Sequence, residues 1–228
     1  EFQIISKYLK SLSAKSYGSL KLQDDIYFDY IKKIAVSVDS YHEGIHFINT
    51  KEPSKFLKKI LRASLSDLYC KGITPKNYFL SFGLKKKLVT KNWLKKVKKI
   101  LALEQKKFKI SLSGGDIIKS SKLFITVIIL GESKYNPILR KGSKHNDDIY
   151  LTGDIADSYL GLSVIKKRVN YGKFNSFFRK KYYEPDLQVN FYKYLKNFAS
   201  SSIDLSDGLL QDLNHLCLNS KLGATIDL

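Results

Sequence analysis

A chain of 228 residues with 43% hydrophobic and 13% aromatic side chains is long and apolar enough to bury a core, which excludes a disordered or low-complexity protein. No apolar run reaches the roughly 20 residues that span a bilayer, and no basic and then apolar leader opens the sequence. The net charge is +19, but only four of the 40 basic residues are arginines, so lysine bias explains the charge better than a nucleic-acid footprint.

In chain order, a helix is expected over 4–12, then a Ser/Gly loop to Leu20 and a buried strand over 33–39. Pro53 to Lys71 reads as a helix, with Phe56, Ile60, Ala63 and Leu68 near helical spacing and Gly72 at its C′ position. A short strand follows at 79–84. Thr90 is placed to cap a second helix with Trp93, Leu94, Val97, Ile100 and Leu101 on one face and a solvated lysine run on the other. Segments 109–112 and 123–130 (LFITVIIL) read as strands, the latter too apolar for an exposed edge. The polar stretch 132–148 is the best candidate for a domain junction. Beyond it a strand (149–152), a helix (156–167), a helix after Pro185, a short strand to Asp204 and a helix over 206–220 are expected. The mixture lacks a strict βαβ rhythm and predicts an α+β fold. Two distant cysteines, Cys70 and Cys217, fit a reduced, cytoplasmic compartment. The sequence has no methionine, and Ala224, Ile226 and Leu228 alternate like a strand up to the last residue. Both ends are therefore expected to be cut.

The acidic residues are few, and several sit at strand ends and turns. Asp24 and Asp25 are adjacent; Asp39 ends a strand in VSVDSYHEGIHF; Asp67 lies in LSDLYCKG; Asp116 follows two glycines in a turn; Asp204 and Asp207 bracket another turn in IDLSDG. Ionised carboxylates brought together repel unless a cation joins them, and all-oxygen donors suit Mg²⁺, Mn²⁺ or Ca²⁺ better than zinc. Taken singly, each has a plainer reading: Asp207 as a helix cap, Asp67 as a surface charge, Gly114–Gly115–Asp116 as a tight turn, His46 as an ordinary strand-end histidine. The phosphate-binding P-loop, the dinucleotide glycine loop and the protein-kinase motifs are all missing.

Read together, LQDD (22–25), SVDSYHEGIHF (37–47), ASLSDLYCKGITP (63–75), GGD (114–116), LTGDIADSYLGL (151–162) and SIDLSDGLLQDLNHL (202–216) resemble, in order, the motifs of the thiamine-monophosphate kinase family. The resemblance covers essentially the whole chain. It implies an N-terminal mixed α/β domain (1–135) that binds Mg²⁺ and ATP and dimerises through its sheet, and an incomplete C-terminal α+β domain (136–228). It implies transfer of the ATP γ-phosphoryl group to thiamine monophosphate in a homodimer, with no nucleic-acid or membrane partner. By matching position, Asp25, Ser37, Val38, Asp39, Asp67, Asp116, Asp204 and Asp207 would hold Mg²⁺. Gly115, Asp116, Arg140 and Ser206 would contact ATP, and His46 would lie against thiamine monophosphate. No general base is implied, because the acceptor is a phosphate oxygen already ionised at neutral pH.

Three departures from the family pattern stand out. Gln23 replaces a glycine before the Asp pair, Val38 replaces a threonine, and the family's C-terminal substrate segment is absent, which implies weak or no turnover by these 228 residues. The alternatives are another ATP-dependent enzyme of the same superfamily (selenophosphate synthetase-like or hydrogenase-maturation-like), or a non-enzymatic basic module that binds nucleic acid.

Overall fold

The apolar run LFITVIIL forms the middle of the molecule. In the computed structural model, which describes residues 2–227, strand β5 (Phe124–Glu132) is the central strand of a five-stranded sheet in the order β1-β2-β5-β3-β4. The other strands are β1 (Tyr27–Asp29), β2 (Ile34–His42), β3 (Thr74–Leu84) and β4 (Ser111–Lys119). Antiparallel pairing joins β1 to β2, β2 to β5 and β5 to β3, while β3 and β4 are parallel. Alternation along β5 sends Ile125, Val127 and Ile129, all fully buried, to one face of the sheet.

After the short α1 (Phe2–Ile4), helix α2 (Leu57–Tyr69) covers that face, packing on β2 and β5 through Leu57, Ile60, Leu61, Leu65 and Leu68. Each such buried side chain contributes on the order of 1.5–3 kcal/mol relative to exposure. Helix α3 (Lys91–Phe108) packs against α2 and makes the crossover that two parallel strands require. Thr90 caps it, its Oγ1 accepting from Trp93 N at 3.2 Å, as the sequence predicts. Trp93, Val97 and Leu101 are buried, whereas Leu94 is exposed. α2 and α3 are locked together by a bidentate pair, Arg62 Nε to Glu104 Oε2 at 2.8 Å and Arg62 Nη2 to Glu104 Oε1 at 2.9 Å, both side chains almost wholly buried.

The opposite face of the sheet is open. Val38 is 61% exposed and Ile118 48% exposed, and every residue of β4 is exposed. β1 is short and pairs only with Ile34–Val36, so β2 beyond Val36 lies at the rim of the sheet.

The first half follows the expected order of elements with longer strands: β2 runs on to His42, and β3 begins at Thr74. The segment expected as a helix over 4–12 is a series of short α, π and 3₁₀ turns. Gly114–Gly115–Asp116 is not a turn but the middle of β4. A side chain at Gly115 would put its Cβ 1.9 Å from Leu80 O, so the glycine permits close approach to β3 beside the register shift at Tyr78/Phe79.

The second half departs further. Helices α4 (Asp157–Ile165), α5 (Asn175–Tyr183) and α6 (Leu209–Ser220) form, but α5 precedes Pro185, and only a 3₁₀ turn (Tyr192–Asn197) follows it. Residues 149–152, 203–204 and 224–227 are irregular, because among the described residues no strand lies beside them to complete a ladder.

The Arg62–Glu104 pair provides a stability test. Glu104→Ala leaves the buried guanidinium with only the Pro185 carbonyl at 3.2 Å and Glu184 Oε2 at 4.0 Å, and should cost about 3 kcal/mol, read as a lower urea midpoint. A loss under 1 kcal/mol would mean that the pair is solvated.

Candidate metal centre

Alternation along β2 puts Ser37, Asp39 and Tyr41 on the face covered by α2 and turns Val38 to the open face. Across from them, α2 presents Ser64 and Asp67. Ser37 Oγ donates to Asp67 Oδ2 in a short hydrogen bond, and Tyr41 Oη lies 3.0 Å from both Asp39 Oδ2 and Ser64 Oγ.

The C-terminal turn of α2 gathers three further segments. Ile73 N donates to Leu68 O and Gly72 N to Tyr69 O, with Gly72 at φ +74°, the closure that glycine permits after a helix. Through this turn Lys71 enters the interior, its side chain fully buried. Its Nζ donates to Asp24 Oδ1 (2.9 Å), Asp25 Oδ2 (2.8 Å) and the Ser202 carbonyl (2.7 Å), which uses all three ammonium donors. Arg140 pairs with Asp25, and its backbone N–H donates to Asp24 Oδ2 at 2.7 Å. Ser202 Oγ donates to Cys70 O at 2.6 Å, which sets Asp204 beside Ser66, Oδ2 to Oγ 2.6 Å.

Two electrostatic halves result. In the first, Lys71 and Arg140 hold the Asp25 carboxyl below its ordinary range against the opposing effect of burial. In the second, burial raises Asp39, Asp67 and Asp204. Asp67 is pushed well up, with the charges of Asp39 and Asp204 adding to its burial; Asp204 is pushed up to about 6, with Asp25 adding. Among the described residues these three carboxyls have no ion-pair partner within 4.0 Å; each accepts from a hydroxyl, Asp39 from Tyr41, Asp67 from Ser37 and Asp204 from Ser66.

Three carboxyls in one buried region, short of cations and supplemented by hydroxyl oxygens, fit hard divalent ions such as Mg²⁺. Asp25, Cys70 and Asp204 also converge, their ligand atoms within 4.8 Å of one another. That trio does not make a soft-metal site, because burial pushes the Cys70 thiol far up and its Sγ donates to Asp67 O.

The structure therefore brings together Asp25, Ser37, Asp39, Asp67, Asp204 and Arg140. It does not bring Asp116 to them. Asp116 pairs with Ser81, Ser81 with Thr126, and Thr126 with Ser40, the neighbour of Asp39; three strand spacings amount to about 14 Å. Gly115 and Asp116 are exposed on β4, and Ser206 and Asp207 on the turn before α6. That turn is held by Asp212 Oδ2, which accepts from the N–H groups of Ser206, Asp207 and Gly208, so the helix starts at Leu209 and not at Ser206. His46 is exposed just beyond β2, its Nδ1 accepting from His42 N at 2.9 Å and its ring edge-on to Tyr41. Sequence reading passed over Lys71 and Tyr41. The spacing Ser64–Asp67–Lys71, i, i+3 and i+7, was the available signal that all three share one side of α2 and its turn.

This chain matches the AIR synthase related protein, N-terminal domain, family over residues 23–133. Thiamine-monophosphate kinases of Buchnera aphidicola subsp. Schizaphis graminum and subsp. Acyrthosiphon pisum are 36% and 34% identical to it, each across the whole of this chain and 72% of their own length. A solved structure of AaThiL complexed with AMPPCP and TMP superposes with a TM-score of 0.87 at 27% identity, over 97% of this chain and 70% of that one. The chain belongs to the thiamine-monophosphate kinase family.

Asp204 makes the pocket sensitive to pH when no divalent ion is present. Its folded pKa of about 6 lies above the unfolded value of 3.8, so the stability it contributes is full below about pH 3.8 and is lost as pH rises through about 6. In EDTA, Asp204→Asn should therefore flatten the fall in melting temperature between pH 5 and 7.5; an unchanged slope would remove Asp204 as its source.

Proposed function

We propose that this chain transfers the γ-phosphoryl group of ATP to thiamine monophosphate, with Mg²⁺ held by Asp39, Asp67 and Asp204. The observation that carries the reading is the buried trio of carboxyls without a cationic partner, in a fold closely similar to a relative solved with AMPPCP and TMP. AMPPCP is a non-hydrolysable ATP analogue, and TMP is the acceptor phosphate ester.

Divalent ions held by these residues would supply the positive charge that neutralises the polyphosphate and the incoming phosphate ester. Asp39 is held at Tyr41 Oη, Asp67 at Ser37 Oγ and Asp204 at Ser66 Oγ, so the ligand oxygens are oriented in advance. Arg140, fixed on Asp25 at the rim of the same pocket, supplies positive charge toward ATP. Ser206 and the turn at Asp207 approach from the segment that carries Asp204. His46 and the adjoining end of β2 line the acceptor side. None of these residues has to remove a proton, in keeping with an acceptor oxygen that is already anionic.

Asp116 and Gly115 are too far along the sheet to join Asp39 within one chain. Placing them at an ATP site calls for a second copy of the chain across the open sheet face, which favours a homodimer. Exposed Val38 and Ile118, with half-buried Ile128 beside Val38, give that face an apolar character suited to burial. The boundary between an N-terminal domain (1–135) and a C-terminal domain (136–228) agrees with the end of the family match at residue 133. A cytoplasmic location agrees with the biosynthetic role, and no helix among the described residues is long and apolar enough to cross a membrane.

Calorimetric titration with AMPPCP tests the metal reading. Binding should need Mg²⁺, and Asp39→Asn or Asp67→Asn should weaken it at least tenfold in a variant that still melts cooperatively. Equal binding in EDTA would overturn the reading. For the dimer, Ile118→Lys should convert a species of twice the chain mass into one of single mass in analytical ultracentrifugation. A wild-type protein of single mass at every concentration would refute it.

A further inference from the structure

Lys71 lies in the same pocket as the proposed ion-binding carboxyls, yet nothing in the phosphoryl transfer described above uses it. It is a lysine with no exposed side-chain surface, and such residues are rare unless paired. Its ammonium bridges two carboxylates at 2.8 and 2.9 Å and a backbone carbonyl at 2.7 Å, so its neighbours are all oxygens. A small metal ion at that point would find the same surroundings.

Every carboxylate oxygen of Asp24 and Asp25 already has a donor. Asp24 Oδ1 accepts from Lys71 Nζ and Asp25 N, and Asp24 Oδ2 from Arg140 N. Asp25 Oδ1 accepts from Arg140 Nη2, and Asp25 Oδ2 from Lys71 Nζ and Arg140 Nε. The ammonium is also held from behind, because Ile138 N donates to Lys71 O and the helix closure at Gly72 fixes the backbone. A divalent ion at Asp24 and Asp25 would compete there with a buried ammonium and a guanidinium that already bind these oxygens, and displacing the buried ammonium is costly.

We propose that Lys71 is a tethered cation that stands in for one divalent ion, committing Asp24 and Asp25 to the fold and leaving Asp39, Asp67 and Asp204 to hold the exchangeable ions. The inference rests on the reading of that trio as a divalent-ion site. Because the ammonium is covalently attached, its charge is present at any Mg²⁺ concentration and costs no binding entropy. Lys71 is thus a positioning residue: it sets the turn at Asp24–Asp25 and, through Asp25, the guanidinium of Arg140.

Electron paramagnetic resonance can count Mn²⁺ bound per chain at saturating AMPPCP in wild type and in Lys71→Met, which has similar length and no charge. The variant should bind one more Mn²⁺ than wild type and should melt lower in EDTA, recovering when Mn²⁺ is added. An unchanged count in a variant that circular dichroism shows to be folded would overturn the proposal. If Lys71→Met does not fold even with Mn²⁺, Asp24→Asn in the wild-type background decides: the count should stay the same, and loss of an ion would show Asp24 to be a ligand and refute the proposal. Wild type that binds no Mn²⁺ would sink the divalent-ion reading itself, and with it the proposal. Wild type that binds Mn²⁺ while either variant gives the wrong count sinks the proposal alone.

Discussion

Five carboxyls, those of Asp24, Asp25, Asp39, Asp67 and Asp204, share one largely buried region with two cations, Lys71 and Arg140. Burial of unpaired carboxylates is costly, and a protein avoids the cost by protonating them or by admitting a positive charge. The chain does both in separate halves. Asp25 stays ionised against Lys71 and Arg140, while the remaining trio is pushed toward the protonated form until an ion arrives. In the proposed function, metal dependence follows from this charge balance and is not an added feature.

The rest of the architecture serves to hold that imbalance in place. β2 contributes alternate residues from a strand whose partner β1 ends early, so its covered face opens at the rim. Helix α2 spans the same region because its apolar side is buried on β2 and β5, which brings Asp67 against Ser37. The closing turn at Gly72 then directs Lys71 inward and draws in the segments around Arg140 and Asp204. Four stretches far apart in sequence meet at the C-terminal end of one helix. A rigid, oxygen-only site with oriented ligands is what phosphoryl transfer without a general base demands, since positioning and charge neutralisation do most of the work.

The open face of the sheet poses a complementary constraint. β4 is exposed along its whole length and carries Gly115 and Asp116, whose distance from Asp39 is fixed by strand register. Within one chain that register separates the glycine-flanked aspartate from the carboxyl trio. Self-association across the apolar face would cover the exposed edge and bring the two groups near each other, so assembly and catalysis are linked in this reading.

The sequence by itself determined the family, the mixture of helices and strands, the Thr90 cap, the Gly72 stop and the list of aspartates, because these rest on local spacing and residue chemistry. The structure decided which aspartates meet. Asp39 and Asp67 pair because a pleat and a helix face coincide, whereas Asp116 stands three strands away, a separation that only pairing order reveals. It also turned the Gly114–Gly115 pair from an expected bend into a strand, since close approach to Leu80 is a contact with another strand and leaves no local signature. The expected strands of the second half did not form because alternation needs a neighbour to complete its hydrogen bonds. Lys71 was one lysine among many until the fold buried it, for charge acquires its meaning from what surrounds it, and those surroundings come from segments more than a hundred residues apart.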